Sequence, residues 1–326
     1  MTILVTGSGG FLGTVLSAEL RRSGYHVREL VKTDTSWSRD DAPDLIVGDI
    51  RDSRCVGKAI AGCDSIVHLA GKAHALDDEG VSDADYQSVN VEGTRQLLEE
   101  AKTGGVRKFV FASSVKVFGE TTLGCIDETV PAVPRSPYAR SKWSAEQLVA
   151  SVASGALATV SFRLPLVYGP TEKGNLFRMI AAIDRGRFPP LPRVAALRSM
   201  LHVRNFVLAV RAALDVDTFP RPVYVIADAT PYSISEIYDR LRKGLGRQPP
   251  VCRVPAWALS FGAKCGDLLE VLTRRPFPFS SSTWEKLMGQ ACYSPEAAMR
   301  ELHYRPLYTF EQAVPDLIAH YRRSLA

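Results

Sequence analysis

The chain has 326 residues, 46% of them apolar and 23% charged, with a net charge of +5. A chain of that length and balance buries a sizeable core, which excludes a disordered or collagen-like protein. The basic excess is modest and no basic run interleaves with aromatics, so no nucleic-acid surface is expected.

The chain opens with a short apolar run at residues 3–6, then Gly-Ser-Gly-Gly, then a helical pattern over 11–22. A strand is predicted over 25–31 after the Ser23-Gly24 turn, and a third over 45–47 before Gly48-Asp49. Residues 54–61 read as a helix, 65–70 as a buried strand, and 86–103 as a long helix with Val89, Leu97, Leu98 and Ala101 near helical spacing. A β-type run at 108–113, a proline-containing loop, a helix over 138–150 and a strand over 160–164 follow. Strands alternating with helices of this length imply βαβ units, hence an α/β fold with a doubly wound, mostly parallel sheet.

After Gly169 the texture changes. A helix over 176–185 leads into a proline-rich loop, 222–227 reads as a strand returning to the sheet, and from 233 onward helices and short loops are expected. The most apolar later stretch, 254–272, is broken by Lys264, Asp267 and Glu270, so no membrane span is expected. With the glycine turn already at Gly7, no leader peptide is expected before the first strand. The six cysteines (Cys55, Cys63, Cys125, Cys252, Cys265 and Cys292) form neither a CxxC pair nor a zinc-type cluster. They read as reduced, mostly buried thiols in a cytoplasmic protein, and no metal site is expected.

Gly7, Gly10 and Gly13 stand at GxxGxxG spacing between a strand and a helix. The first permits a tight turn, the second lets backbone approach a pyrophosphate, and the third lets helix and strand pack closely. The helix start then offers amides and partial positive charge to the anion, which makes this a dinucleotide site. The acid expected about 20 residues later to bind the adenosine ribose is missing, because Val31 and Lys32 occupy that place. A lysine there suits a 2′-phosphate, so the reading leans to NADP and leaves NAD open.

Tyr138 and Lys142 form a YxxxK pair on one helix face. A tyrosine is a poor base at neutral pH and needs a nearby cation, which Lys142 would supply while holding the nicotinamide ribose. Ser113 and Ser114 end the buried strand upstream, where a hydroxyl can hold the reacting oxygen. Tyrosine, lysine and serine together are the equipment for proton transfer coupled to hydride transfer.

These residues carry a resemblance. The chain resembles the extended short-chain dehydrogenase/reductase family over nearly all its length. The matching pieces are TGSGGFLG (6–13), GDIRD (48–52), HLAG (68–71), VNVEGT (89–94), FVFASSVKVFGE (109–120), YARSK (138–142) and RLPLVYGP (163–170). The resemblance implies a Rossmann-type domain over 1–169 and about 202–228, with a smaller, discontinuous substrate domain over 170–201 and 229–326. It implies that Phe11 and Leu12 join the three glycines at the cofactor and that Asp49 and Ile50 bracket its adenine. Leu69, Ala70, Gly71 and Asn90 would lie along the cofactor, with Pro165 and Leu166 beside the nicotinamide. It selects Ser114 over Ser113 as the catalytic serine.

The second half resembles UDP-galactose 4-epimerases and, more closely, bacterial polysaccharide enzymes that reduce 4-keto-6-deoxy-N-acetylhexosamine nucleotides. By that resemblance Asn175 and Arg198 contact the sugar diphosphate, and His74 lies near the sugar. The second diphosphate arginine expected near the C-terminal region does not align; Arg274, Arg275 and Lys286 are its candidates, and none is selected. His68 is expected in the core instead, and Lys72 and Lys116 near the site or in solvent. A homodimer through the helices at 86–103 and 138–150 is also implied.

All these relatives move hydride at sugar C4. Dehydration is disfavoured because Val115 and Lys116 stand where such enzymes carry Asp-Glu after a threonine. Reduction of a UDP-4-keto-6-deoxy-N-acetylhexosamine comes first, with 4-epimerisation as the alternative. A catalytically silent dinucleotide-binding module is set against the presence of all three reactive residues.

Overall fold

The computed structural model describes residues 1–32, 44–72, 82–172, 174–273 and 280–325. Its elements are β1 (Thr2–Thr6), α1 (Phe11–Arg22), β2 (His26–Val31), β3 (Leu45–Val47), α2 (Ser53–Ile60) and β4 (Ser65–His68). Next come α3 (Asp83–Tyr86), a π-helical segment (Gln87–Glu92), α4 (Gly93–Thr103), β5 (Lys108–Ser114), a 3₁₀ turn (Val115–Phe118), β6 (Cys125–Ile126), α5 (Pro137–Ser151), β7 (Ala158–Leu164) and β8 (Leu166–Tyr168). The chain continues through α6 (Asn175–Asp184), β9 (Leu197–Arg198), β10 (Met200–His202), α7 (Val203–Asp215), β11 (Val223–Val225), β12 (Tyr232–Ser233) and α8 (Ile234–Gly244). It ends with α9 (Ala256–Thr273), α10 (Ser281–Met288), β13 (Cys292–Tyr293), α11 (Glu296–Glu301) and α12 (Phe310–Arg323).

Seven strands form one parallel sheet in the order β11-β7-β5-β4-β1-β2-β3. The expected Rossmann-type α/β architecture is therefore present. Helices cover both faces, so the middle strands are apolar without alternation: β4 is buried throughout, and β5 from Phe109 to Ser114. One core lies between the sheet and α1 and α7, built on Leu16, Leu20, Phe162, Phe206 and Val210. The other lies under α2, α4 and α5, built on Leu30, Ile66, Leu97, Phe109 and Val149. Strand order reverses between β1 and β4, and the crevice outside the carboxyl ends of these strands is where such sheets bind ligands.

A separate core joins later elements. Tyr168, Ile180, Tyr238, Leu241, Phe310 and Leu317 pack together from β8, α6, α8 and α12. A buried polar knot ties this region to the sheet. Asp228 accepts from Tyr168 Oη at 2.8 Å, His202 N at 2.9 Å and Asn205 Nδ2 at 2.6 Å, while Asn205 Oδ1 accepts from the amides of Leu307 and Tyr308.

Three expectations change. The helix expected over 86–103 begins at Asp83, where Ser82 caps it, and its middle is wound as a π-helix. The region after 233 also contains β13, which pairs parallel to β6, and two residues are too few for either strand to show a periodicity. The six cysteines are not all thiols either. Cys125 and Cys292 are disulfide-bonded with Cα atoms 4.4 Å apart, across a sequence separation of 167 that only the tertiary fold closes. Cysteine usage therefore no longer supports a cytoplasmic setting. Among the described residues no helix is long and apolar enough to cross a membrane.

Candidate active site

The glycine loop lies at the carboxyl end of β1. Gly7 has φ +71°, and a Cβ there would stand 2.6 Å from Ala70 N, so the backbone between Leu69 and Ala70 requires glycine at this point. Gly13 opens onto the same turn, and its Cβ would lie 2.4 Å from Gly7 O and 2.5 Å from Ser8 Cα. Since both obstacles are backbone, Gly13→Ala is expected to push α1 off the loop. The cost should be about 1–3 kcal/mol of stability together with weakened dinucleotide binding, read by thermal unfolding and cofactor titration.

Gly10 stands at the N-cap of α1 and has no side chain to satisfy the first amides, and the buried Ser8 Oγ has no hydrogen-bond partner among the described residues. Backbone donors at a helix start, an orphaned hydroxyl and a cradle that any Cβ would fill suit the pyrophosphate of a dinucleotide. Phe11 and Leu12 begin the helix itself, and the Phe11 ring lies against Gly169 after β8.

The other cofactor candidates gather at neighbouring strand ends. Lys32 follows β2 and its ammonium lies 3.8 Å from Asp49, which follows β3. The Arg51 guanidinium bonds both Asp49 oxygens and, by those bonds first, holds the carboxyl down at about 2. Ile50 is buried against Gly93 at the start of α4. Gly71, after β4, faces Asn90: a Cβ there would lie 2.9 Å from Asn90 Oδ1 and 3.5 Å from Lys142 Nζ.

Asn90 sits in the π-helical segment, a feature frequent at functional sites. Its amide accepts from Lys72 N at 2.7 Å and donates to Lys72 O at 3.1 Å and Ser141 Oγ at 2.9 Å. It therefore fastens the loop after β4 to α5. Pro165 is buried between β7 and β8, and Leu166 is exposed beside it.

The three reactive candidates converge on the end of β5. Ser136 caps α5 by accepting from Ala139 N, and Pro137 occupies the first turn, which sets the phase of the helix that carries Tyr138 and Lys142. Lys142 is buried and Tyr138 half-buried. Ser114 hydrogen-bonds Tyr138, and Ser114 Oγ also accepts from Lys116 N at 3.2 Å. Burial raises the Tyr138 phenol above its ordinary value, opposed by that bond, so it holds its proton at neutral pH. Lys142 Nζ donates to Ala112 O at 2.8 Å and lies 4.7 Å from the centre of the Phe111 ring. Burial lowers it to about 8, and the Glu146 carboxylate acts against that shift.

Glu146, one turn beyond Lys142, is a residue that sequence reasoning missed. It is buried, accepts from Ser113 Oγ, and forms a two-pronged ion pair with Arg163 of β7 at 2.8–3.2 Å. A signal for it exists: an acid four residues after Lys142 shares its face of a buried helix.

His68 packs in the core as expected. Its ring nitrogens meet Thr6 Oγ1 at 2.7 Å and Thr94 Oγ1 at 2.9 Å, and burial drives its pKa down to about 3. Burial lowers His202 to about 4 in the same way and raises Asp228 to about 6. An imidazole held neutral contributes stability above its unfolded value near 6.5 and loses it as pH falls. A carboxylate whose pKa is raised contributes stability at low pH and loses it as pH rises through 6. Between pH 6 and 4 two histidines oppose one aspartate, so stability should fall on acidification by about 1.4 kcal/mol per pH unit from these groups. Thermal unfolding across that window checks the sign, and His68→Gln should flatten the slope.

The substrate candidates are more dispersed. Asn175 opens α6, is exposed, and lines a cleft with Tyr168, Thr171, Phe177, Leu317 and His320. Arg198 lies on β9, half buried and outside that cleft, and donates to Gly289 O at 3.0 Å. Lys72 and Lys116 pair with Asp85 and Glu120. His74, Arg274 and Arg275 lie outside the described residues, as does the Lys286 side chain.

Known proteins share this fold. The chain is 32% identical to a UDP-glucose 4-epimerase of Vibrio cholerae over 281 residues, covering 83% of this chain and 85% of the relative. It is 28% identical to the N-acetyl-α-D-glucosaminyl-diphospho-ditrans,octacis-undecaprenol 4-epimerase of Escherichia coli O157:H7, covering 86% and 83%. The solved structure of the Thermus thermophilus UDP-glucose 4-epimerase with NAD superposes at a TM-score of 0.73, with 23% identity and 99% of both chains covered. A family model matches residues 3–227, and the chain accordingly belongs to the NAD dependent epimerase/dehydratase family.

Proposed function

We propose that this protein is an NAD(P)-dependent oxidoreductase acting at C4 of a UDP-sugar, and that it reduces a UDP-4-keto-6-deoxy-N-acetylhexosamine. The observation that carries this reading is the convergence of Ser114, Tyr138 and Lys142 at the carboxyl end of β5, beside the glycine loop. A bound dinucleotide would supply hydride. Ser114 would hold the sugar oxygen, and Tyr138, which keeps its proton at neutral pH, would donate it as that oxygen becomes a hydroxyl. Lys142 would hold the nicotinamide ribose and steady the phenolate left behind.

Val31 in place of a ribose-binding acid, followed by the exposed Lys32, suits NADPH and a cofactor that exchanges at each turnover. Structural neighbours were solved with NAD, so both cofactors belong in the test. Residues 170–201 and 229–326, with Asn175 and Arg198, would form the sugar-diphosphate side, and a dimer would assemble through α4 and α5. The Vibrio cholerae and Escherichia coli relatives favour a second reading, 4-epimerisation, in which the same residues return hydride to the opposite face.

Stoichiometric oxidation of added NADPH or NADH by the 4-keto sugar is expected, with little interconversion of UDP-N-acetylglucosamine and UDP-N-acetylgalactosamine. Rapid interconversion of those two without added cofactor would make the protein a 4-epimerase instead.

A further inference from the structure

Residues 289–293 form a strip between two parts of the molecule that border the site. One edge bonds β9. Ala291 N donates to Leu197 O and Ser199 N to Ala291 O, each at 2.9 Å, and the Arg198 guanidinium donates to Gly289 O at 3.0 Å. Ser199 Oγ accepts from Tyr293 N at 2.8 Å and donates to Tyr293 O at 2.9 Å. The other edge meets the loop that follows Ser114. Thr122 N donates to Gln290 O at 2.8 Å, Cys292 N to Thr122 Oγ1 at 3.2 Å, and Ser294 N to Ile126 O at 2.8 Å. Phe118, which closes the 3₁₀ turn after Ser114, stacks on Tyr293 at 5.8 Å between centroids. The approach is close enough that a Cβ on Gly289 would stand 2.5 Å from Thr121 Cγ2.

The Cys125–Cys292 disulfide fastens the strip to that loop. β6 and β13 have two residues each, and so short a ladder is weak by itself. Cys292 is buried, whereas Cys125 lies exposed on the loop, where a thiolate from solvent can reach its sulfur. A dithiol that attacks Cys125 Sγ breaks the S–S bond and releases Cys292 as a thiolate, which takes a proton. The second thiol of the reductant then closes on the mixed disulfide and frees Cys125. Two electrons and two protons pass to the protein, and the reductant leaves as its cyclic disulfide. The cores on the two faces of the sheet contain neither cysteine, so opening the bridge leaves them intact.

We propose that Cys125–Cys292 is a redox latch. Closed, it holds residues 289–293 against β9 and keeps Arg198 in place for a nucleoside diphosphate; opened by a dithiol, it frees the strip and weakens that binding. The role of Arg198 rests on the proposed function, and the latch itself does not. The full chain is equilibrated with oxidised or with reduced dithiothreitol, and its thiols are counted after denaturation. The four free cysteines are expected in the first state, and those four plus the two of the bridge in the second. Hydrogen exchange at the amides of 289–293 should quicken on reduction, with exchange in β5 unchanged. Affinity for UDP, read by calorimetry, should fall about tenfold and return on reoxidation, a coupling of ordinary size between two sites. Cys125→Ser with Cys292→Ser should match the reduced parent in both readouts and ignore dithiothreitol; the reduced parent carries the test if this variant does not fold.

A bridge that is absent in the oxidised state, or intact in the reduced one, would overturn the latch. So would unchanged exchange in 289–293, equal UDP affinity in the two states, or a folded double variant that binds UDP like the oxidised parent. If UDP binds neither state, the sugar-nucleotide reading fails, and exchange alone decides the latch: faster exchange on reduction upholds it.

Discussion

Tyr138→Phe is expected to lower turnover at least about a hundredfold while leaving dinucleotide affinity unchanged. The substitution removes one oxygen from a half-buried ring that stands edge-on to Tyr86, at 5.9 Å between centroids. The ring and its packing stay, so the loss falls on the proton and not on the fold. Ser114 loses its phenolic partner but keeps the bond from Lys116 N. Single-turnover kinetics with the cofactor already bound would read the effect on chemistry alone. Near-parental rates would remove Tyr138 from the acid's role. The outcome is the same for a reductase or an epimerase, since both move a proton at that oxygen.

Arg163→Met should destabilise the protein by about 3–5 kcal/mol, the larger of the stability effects expected here. Glu146 and Arg163 are both almost wholly excluded from water, and removing the cation leaves a carboxylate buried with Ser113 as its remaining donor. The Phe118 ring, now 4.6 Å below the guanidinium, would gain only a methyl sulfide. Denaturant unfolding at neutral pH gives the number. Removing both charges with Glu146→Leu and Arg163→Met should recover much of the loss, because the desolvation of two ions is removed together with their attraction. A single variant as stable as the parent would show that water reaches the pair. Activity offers a second readout, since Glu146 lies one turn from Lys142 and opposes the lowering of its pKa.

Much of this protein is determined locally. The run Thr2–Thr6, the glycine turn and the apolar positions Leu16 and Leu20 specify strand, loop and helix through interactions within a few residues, and α1 begins and ends where its pattern does. YxxxK fixes Tyr138 and Lys142 on one face because the helix repeat does so anywhere. Parallel strands buried on both faces advertise themselves as continuous apolar runs, so the sheet is legible too.

What escapes depends on partners distant in sequence. Cys125 and Cys292 read as separate thiols because nothing within 167 residues of chain says that β6 and β13 lie side by side. Asn90 is expected along the cofactor, but its work of clamping Lys72 to Ser141 exists only once α5 packs beside the π-helical segment. The Asp228 knot joins residues from Tyr168 to Tyr308, and each looks ordinary in its own stretch. Asn175 and Arg198 share a motif-based expectation, yet lie on different elements, because the later half is held by long-range packing and not by a repeating pattern. Local periodicity decided the elements and the reactive pair; the tertiary structure alone decided which charges are buried and which cysteines meet.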